Sequence, residues 1–126
     1  RILIADDIEM NRRLMMNILA DDKYVLKMAI DGEQAKSEAL SWKPHLVFMD
    51  MKMPKLTGLE ATKQIRKVFT SEEMRIVGCT ANAFESDNEE FINAGADMVV
   101  SKPFTINQVI EVAEDTRNAL GLKRIL

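Results

Sequence analysis

The sequence predicts an α/β domain with a doubly wound, five-stranded parallel sheet in (βα)5 order. Three observations lead there. Short apolar runs at residues 2–5, 24–29, 46–49, 76–79 and 98–100 alternate with longer stretches whose apolar residues recur at helical spacing. The runs at 2–4, 46–49 and 98–100 are apolar at every position, as expected of parallel strands covered on both faces. The chain has 126 residues, 47% hydrophobic and 29% charged. That suits one globular domain, expected over 1–126, burying roughly two-thirds of its unfolded surface.

The first strand runs into Asp6-Asp7, after which Ile8, Leu14/Met15 and Ile18/Leu19 mark the apolar stripe of a first helix. The second run opens Tyr24-Val25-Leu26-Lys27, a mixture that suits an edge strand. Asp31 and Gln34 then have capping-box spacing: the first side chain accepts from an orphan helix N–H and the second reaches back. The third strand leads into Asp50. Thr57/Glu60 caps the next helix, whose stripe is Leu59, Thr62, Ile65 and Phe69. The fourth strand carries Cys79 and ends at Thr80; Ser86/Glu89 opens a fourth helix that Gly95 closes as its C′ residue. Lys102-Pro103 follows the fifth strand. Thr105/Gln108 caps the last helix, with Ile106, Val109/Ile110, Ala113, Thr116 and Leu120 on its apolar face. Right-handed crossovers give a doubly wound sheet with its ligand crevice at the carboxyl ends of the central strands.

Composition excludes several functions. A net charge of −3 and a pI near 5.2 provide no basic field for a phosphate backbone, so no direct nucleic-acid binding is expected. The longest charge-free stretch, 76–84, falls well short of the about 20 residues of a membrane span, so no direct membrane contact is expected either. No charged-then-apolar leader opens the chain, and a start at Arg1 suggests a domain cut from a longer protein. The single Cys79 cannot form an internal disulfide, which fits a reducing, cytoplasmic setting.

Chemistry concentrates at the strand ends: Asp6 and Asp7 after the first, Asp50 after the third, Thr80 after the fourth and Lys102 after the fifth. Parallel strands bring all of these to one edge. Three carboxylates there repel and push at least one pKa up unless a cation intervenes. Oxygen ligands without His or Cys favour a hard ion such as Mg²⁺. A lysine and a threonine add donors for phosphate oxygens, so the set describes a phosphoryl-transfer site with a carboxylate nucleophile.

The motifs Ile2-Leu3-Ile4-Ala5-Asp6-Asp7, Met49-Asp50-Met51-Lys52-Met53-Pro54 with Gly58, Cys79-Thr80-Ala81, and Gly95-Ala96-Asp97 before Ser101-Lys102-Pro103-Phe104 span nearly the whole chain. In that order the chain resembles a response-regulator receiver domain, the CheY-like relative of the flavodoxin fold. The resemblance implies strand order 2-1-3-4-5 and a cis Lys102-Pro103 bond that aims the lysine inward. It implies that Asp50 is the phosphoacceptor, and that Asp7, Asp50 and the backbone carbonyl of Lys52 bind Mg²⁺ with Asp6 acting through metal-bound water. It further implies that Lys102 pairs with a phosphoryl oxygen and Thr80 supplies a hydroxyl. The donor would be a phosphohistidine on a histidine kinase or phosphotransfer domain. Output would run by protein contact through about residues 86–118, after Thr80 draws in the loop 81–85. Many receivers carry an aromatic residue where this chain has Val99, so the aromatic half of that coupling is missing and a modest switch is expected. Lys52 and Asn82 should set the lifetime of the acyl phosphate. The Asp7-x-x-x-Asn11-Arg12 opening and Thr80-Ala81-Asn82-Ala83 look more like receivers of hybrid sensor histidine kinases than stand-alone or effector-linked regulators.

Singly, each motif has an ordinary reading: Asp6-Asp7 as a solvated turn, Asp50 as a loop aspartate, Thr80 as a β-branched strand residue, Lys102 as a surface lysine. Clustering is what outweighs those readings. His45 has no second imidazole and reads as structural or exposed, and Cys79 reads as a core thiol. Met15, Met28, Met49 and Met98 read as core, Met51 and Met53 as flanking the site, and 111–117 as a wet helix face. Two rivals are weaker. A haloacid-dehalogenase-type phosphatase wants a second aspartate where Lys52 stands, and a cap insertion. A pseudo-receiver or flavin-binding module would lack the full polar set, and no phosphate-cradling Gly-rich loop is present. The receiver is therefore expected to be a phosphoacceptor rather than an enzyme acting on a separate substrate.

Overall fold

A computed structural model describes residues 1–81 and 85–119. Five strands, β1 (Ile2–Ala5), β2 (Leu26–Ala29), β3 (Leu46–Asp50), β4 (Arg75–Thr80) and β5 (Met98–Ser101), pair in parallel in the order β2-β1-β3-β4-β5. They alternate with α1 (Glu9–Leu19), α2 (Gly32–Trp42), α3 (Gly58–Arg66), α4 (Glu85–Ala94) and α5 (Ile106–Ala119). This is the flavodoxin/CheY-like architecture and strand order that the resemblance implies.

The two-residue pleat divides each strand between two cores. Leu3, Ala5, Val47, Met49 and Ile76 face Ala35, Ala39, Ala61, Ile65 and Phe91 of α2, α3 and α4. Ile2, Ile4, Leu46, Phe48, Val77 and Cys79 face Met15, Leu19, Val109, Val112 and Ala113 of α1 and α5. Gly78 leaves the space the Phe91 ring occupies, since a Cβ there would lie 2.6 Å from the ring. Among the described residues, no helix is long and apolar enough to cross a membrane.

Several local expectations are corrected. β5 lies at an edge, so Met98, Val99 and Val100 are only half-buried rather than covered on both faces. The first-helix stripe narrows to Met15 and Leu19; Ile8 is the N-cap of α1 and, like Leu14, is exposed. On α5 the buried face is Val109, Val112, Ala113 and Thr116, with Ile106 and Ile110 exposed, because two apolar positions per turn exceed what one face can bury. Leu120 lies outside the described residues. Met28, expected in the core, is exposed on the edge strand β2.

The capping boxes differ in completeness. At Thr105/Gln108 both bonds form, 2.9 and 3.1 Å. Asp31 accepts from Gln34 N at 2.8 Å, but Gln34 reaches back to Ile30 N instead. Thr57 accepts from Glu60 N at 3.2 Å, while the Glu60 carboxylate turns to Lys63. Ser86 lies inside α4, which already runs from Glu85, so it is not a cap. Gly95 closes α4 as expected: its φ is 116°, and its N–H and that of Ala96 both reach Phe91 O.

Candidate functional site

The register delivers the polar residues to one edge. Ala5 lies between Ala29 and Met49, Asp50 pairs with Cys79, and Thr80 pairs with Ser101, so Asp6, Asp50, Thr80 and Lys102 leave their strands at nearly the same level. Local packing holds each in place. Asp6 N–H continues the sheet to Ala29 O at 3.1 Å, and Lys102 N–H donates to Thr80 O at 2.8 Å. After Asp50 the chain turns sharply: Met51 N–H reaches Cys79 O, Gly58 N–H reaches Met51 O, and the Cα of Gly58 packs on the Asp50 carbonyl. Only glycine fits there, because a Cβ would lie 1.8 Å from that oxygen.

Asp6, Asp7 and Asp50 each bring one carboxylate oxygen to within 4.8 Å of the others. Asp6 and Asp50 are buried, whereas Asp7 is exposed at the mouth. Lys102 Nζ bridges two of them, 3.1 Å from Asp6 Oδ2 and 3.0 Å from Asp50 Oδ1. The Lys102-Pro103 peptide preceding α5 is cis. A cavity of about 290 Å³ opens above these groups, lined by Asp7, Asp50, Lys52, Thr80 and Lys102 among others.

The electrostatics follow from that packing. Burial pushes the Asp50 carboxyl above its ordinary value and Asp6 and Asp7 add to the rise, while the Lys102 ammonium offsets part of it. Burial pulls Lys102 down, but its bonds to Asp50 and Asp6 outweigh that and the net movement is upward. The buried Cys79 thiol is pushed up, chiefly by burial, which makes it an inert core thiol. The Asp6, Asp7 and Asp50 carboxylates against the Lys102 ammonium that bridges two of them leave the cluster in excess negative charge, and its ligand atoms are all hard oxygens. The cluster therefore fits a Mg²⁺ site.

All six residues singled out from the sequence, Asp6, Asp7, Asp50, Lys52, Thr80 and Lys102, come together. Asn82 lies outside the described residues. His45 sits at the opposite end of the sheet, before β3, as a half-buried structural residue. Met51 and Met53 are buried in the core facing α2, α3 and α4, and Met51 also lines the cavity. The run 111–117 is more than a wet face, since Glu114 accepts from Tyr24 Oη at 3.0 Å and Lys23 Nζ at 3.1 Å.

Three neighbours were not foreseen. Asn11 Nδ2 donates to Asp6 Oδ2 at 3.2 Å, and an Arg12 guanidinium nitrogen donates to Asp6 O at 2.8 Å. Asp87 of α4 also lines the cavity. A signal existed for the first two, because a helix beginning just past Asp7 turns its first residues back over the strand end. For Asp87 there was none, since its position depends on how α4 packs.

Residues 2–114 match the family model described as the response regulator receiver domain. The chain is 34% identical over 119 residues to the chemotaxis protein CheY of Bacillus subtilis (strain 168), covering 94% of this chain and 98% of that one. It is also 34% identical over 119 residues to the hybrid signal transduction histidine kinase I of Dictyostelium discoideum, covering 89% of this chain but only 7% of that protein. Among solved structures, the receiver domain of NtrX from Brucella abortus superposes with a TM-score of 0.82 at 29% identity, covering 98% of this chain and 100% of that one.

Proposed function

Because the chain belongs to the response regulator receiver domain family of two-component systems, we propose that it accepts a phosphoryl group from a phosphohistidine onto Asp50. The observation that carries this reading is the Lys102 ammonium, 3.0 Å from Asp50 Oδ1 and 3.1 Å from Asp6 Oδ2. It lies where negative charge grows as phosphorus reaches Asp50.

An Asp50 carboxylate oxygen attacks phosphorus, the P–N bond to the donor imidazole breaks, and the electron pair returns to that nitrogen, so the ring leaves as neutral imidazole with its proton on the other nitrogen. Lys102 turns toward a phosphoryl oxygen and the Thr80 hydroxyl donates to another; positioning and charge do most of the work. Asp7, Asp50 and the Lys52 backbone carbonyl would hold Mg²⁺, with Asp6 contributing through water, and the bound cation would neutralise charge on the transferring oxygens. Water attacking phosphorus later releases inorganic phosphate and restores the Asp50 carboxylate, at a rate that Lys52 and Asn82 set. The chain is thus a phosphoacceptor rather than an enzyme with a separate substrate. Nothing supports the dehalogenase-type alternative, and Lys52 stands where its second aspartate would be.

Phosphorylation adds roughly one further negative charge and strong acceptor oxygens, shifting the population of the face formed by α4, β5 and α5 toward a form that a downstream protein reads. Residues 86–118 carry that surface, and no direct contact with nucleic acid or membrane is proposed. The Asn11-Arg12 opening and the match to a hybrid kinase favour membership of a hybrid sensor histidine kinase, and the lone Cys79 suits a cytoplasmic setting for the receiver.

The test is incubation with acetyl phosphate, or with beryllofluoride, in the presence of Mg²⁺. A stoichiometric, Mg²⁺-dependent adduct that Asp50→Asn loses is the expected result. No adduct, or turnover of small phosphate esters, would overturn the reading.

A further inference from the structure

Asp6 is held more thoroughly than a residue acting through water requires. Its Oδ1 accepts Ile8 N–H at 2.9 Å, and its Oδ2 accepts both Asn11 Nδ2 at 3.2 Å and Lys102 Nζ at 3.1 Å. Its backbone carbonyl accepts from the Arg12 guanidinium at 2.8 Å. Two consecutive residues of α1 therefore grip one aspartate through their side chains, Asn11 at the Asp6 carboxylate and Arg12 at the Asp6 main-chain carbonyl.

Lys102 cannot serve Asp6 throughout. It now divides its donors between Asp6 and Asp50. A phosphoryl group on Asp50 would present stronger acceptors and draw the ammonium to itself. Of the two side-chain donors on Asp6, Asn11 is the one whose bond does not depend on the state of Asp50. A neutral amide suits this task, because it supplies a donor without the cation that would compete with Mg²⁺.

We propose that Asn11 and Arg12 are positioning residues that keep Asp6 aimed at the metal pocket while Lys102 transfers from Asp6 to the phosphoryl group. This inference rests on the phosphoacceptor reading, and assigns a task to an Asn-Arg pair that the reading otherwise uses only as a mark of parentage.

The experiment is a calorimetric Mg²⁺ titration of wild type, Asn11→Ala, Asp6→Asn and the double variant, with thermal midpoints recorded for each. Removing a partner that orients a metal-site residue weakens metal binding by about tenfold or more. Asn11→Ala is therefore expected to bind Mg²⁺ about tenfold more weakly with an unchanged midpoint. In the Asp6→Asn background the same substitution should change nothing, because residues acting through one another are not additive. Asn11→Leu, which fills similar space without donors, gives the same reading should the alanine variant lose stability. An Asn11→Ala affinity equal to wild type, or a full tenfold loss that persists without the Asp6 carboxylate, overturns the inference. A wild-type chain that binds no Mg²⁺ overturns the phosphoacceptor reading itself.

Discussion

Tyr24 is the single tyrosine of the chain and lies just before β2, half-buried, with its hydroxyl on Glu114 of α5. Burial, and then the bond to Glu114, push its phenol from 10.0 up to about 12. A folded pKa above the unfolded one favours the neutral form. Its contribution is fully present below pH 10 and is lost as pH rises through about 12. An ultraviolet phenolate titration should therefore show a midpoint near 12, and Glu114→Ala should bring it only part of the way back because burial is the larger cause. A wild-type midpoint at the ordinary value would refute the contact. At this scale the sequence was most informative about residue types with few ordinary alternatives in combination, such as Asp6, Asp7, Asp50 and Lys102. It said least about Glu114, whose polar side chain looks like any other on a wet helix until its partners are known, and of Asn11 and Arg12 it indicated only that they start the helix beside the strand end.

Elements meet at Arg66, in the last turn of α3. Its Nε donates to Gly95 O at 2.7 Å, one terminal nitrogen to Met74 O at 2.6 Å, and the other to Asp97 Oδ2 at 2.6 Å. Asp97 Oδ2 also accepts Ile76 N–H at 2.8 Å. One guanidinium thus ties α3 to the start of β4 and to the turn between α4 and β5. Gly95 is required twice over, for its φ of 116° and because a Cβ would lie 2.4 Å from Arg66 Cγ. Arg66→Met would leave two carbonyls and a largely buried carboxylate without this donor, at a cost of about 3 kcal/mol. Urea unfolding would measure it, and a loss under about 1 kcal/mol, the size of an exposed pair, would show that the clasp is not structural. Element existence was legible from periodicity and caps, and Gly95 marked the end of α4. The burial of each stripe was less legible, because Ile106 and Ile110 are as apolar as Val109, and only the packing of α5 on the sheet decides which face is covered.

Across the whole molecule, the site at the strand ends reaches the α4-β5-α5 face through Thr80, whose carbonyl accepts from Lys102 and whose strand pairs with β5. Val99 on β5 is half-buried against the core facing α2, α3 and α4, a compact residue with no ring to move outward. Beryllofluoride with Mg²⁺ should shift backbone NMR signals across residues 84–104, by smaller amounts toward α5, and not in Asp50→Asn. Unchanged signals there would refute the switch. The sequence by itself determined the class of fold and which polar strand-end residues meet, because strand order in a parallel sheet turns residues far apart in the chain into neighbours at one edge. Only the tertiary structure decided which oxygens share the Lys102 ammonium, that Asn11 and Arg12 grip Asp6, and which helix faces are buried. Those depend on distances of a few ångströms between elements, and a linear pattern carries no such distances.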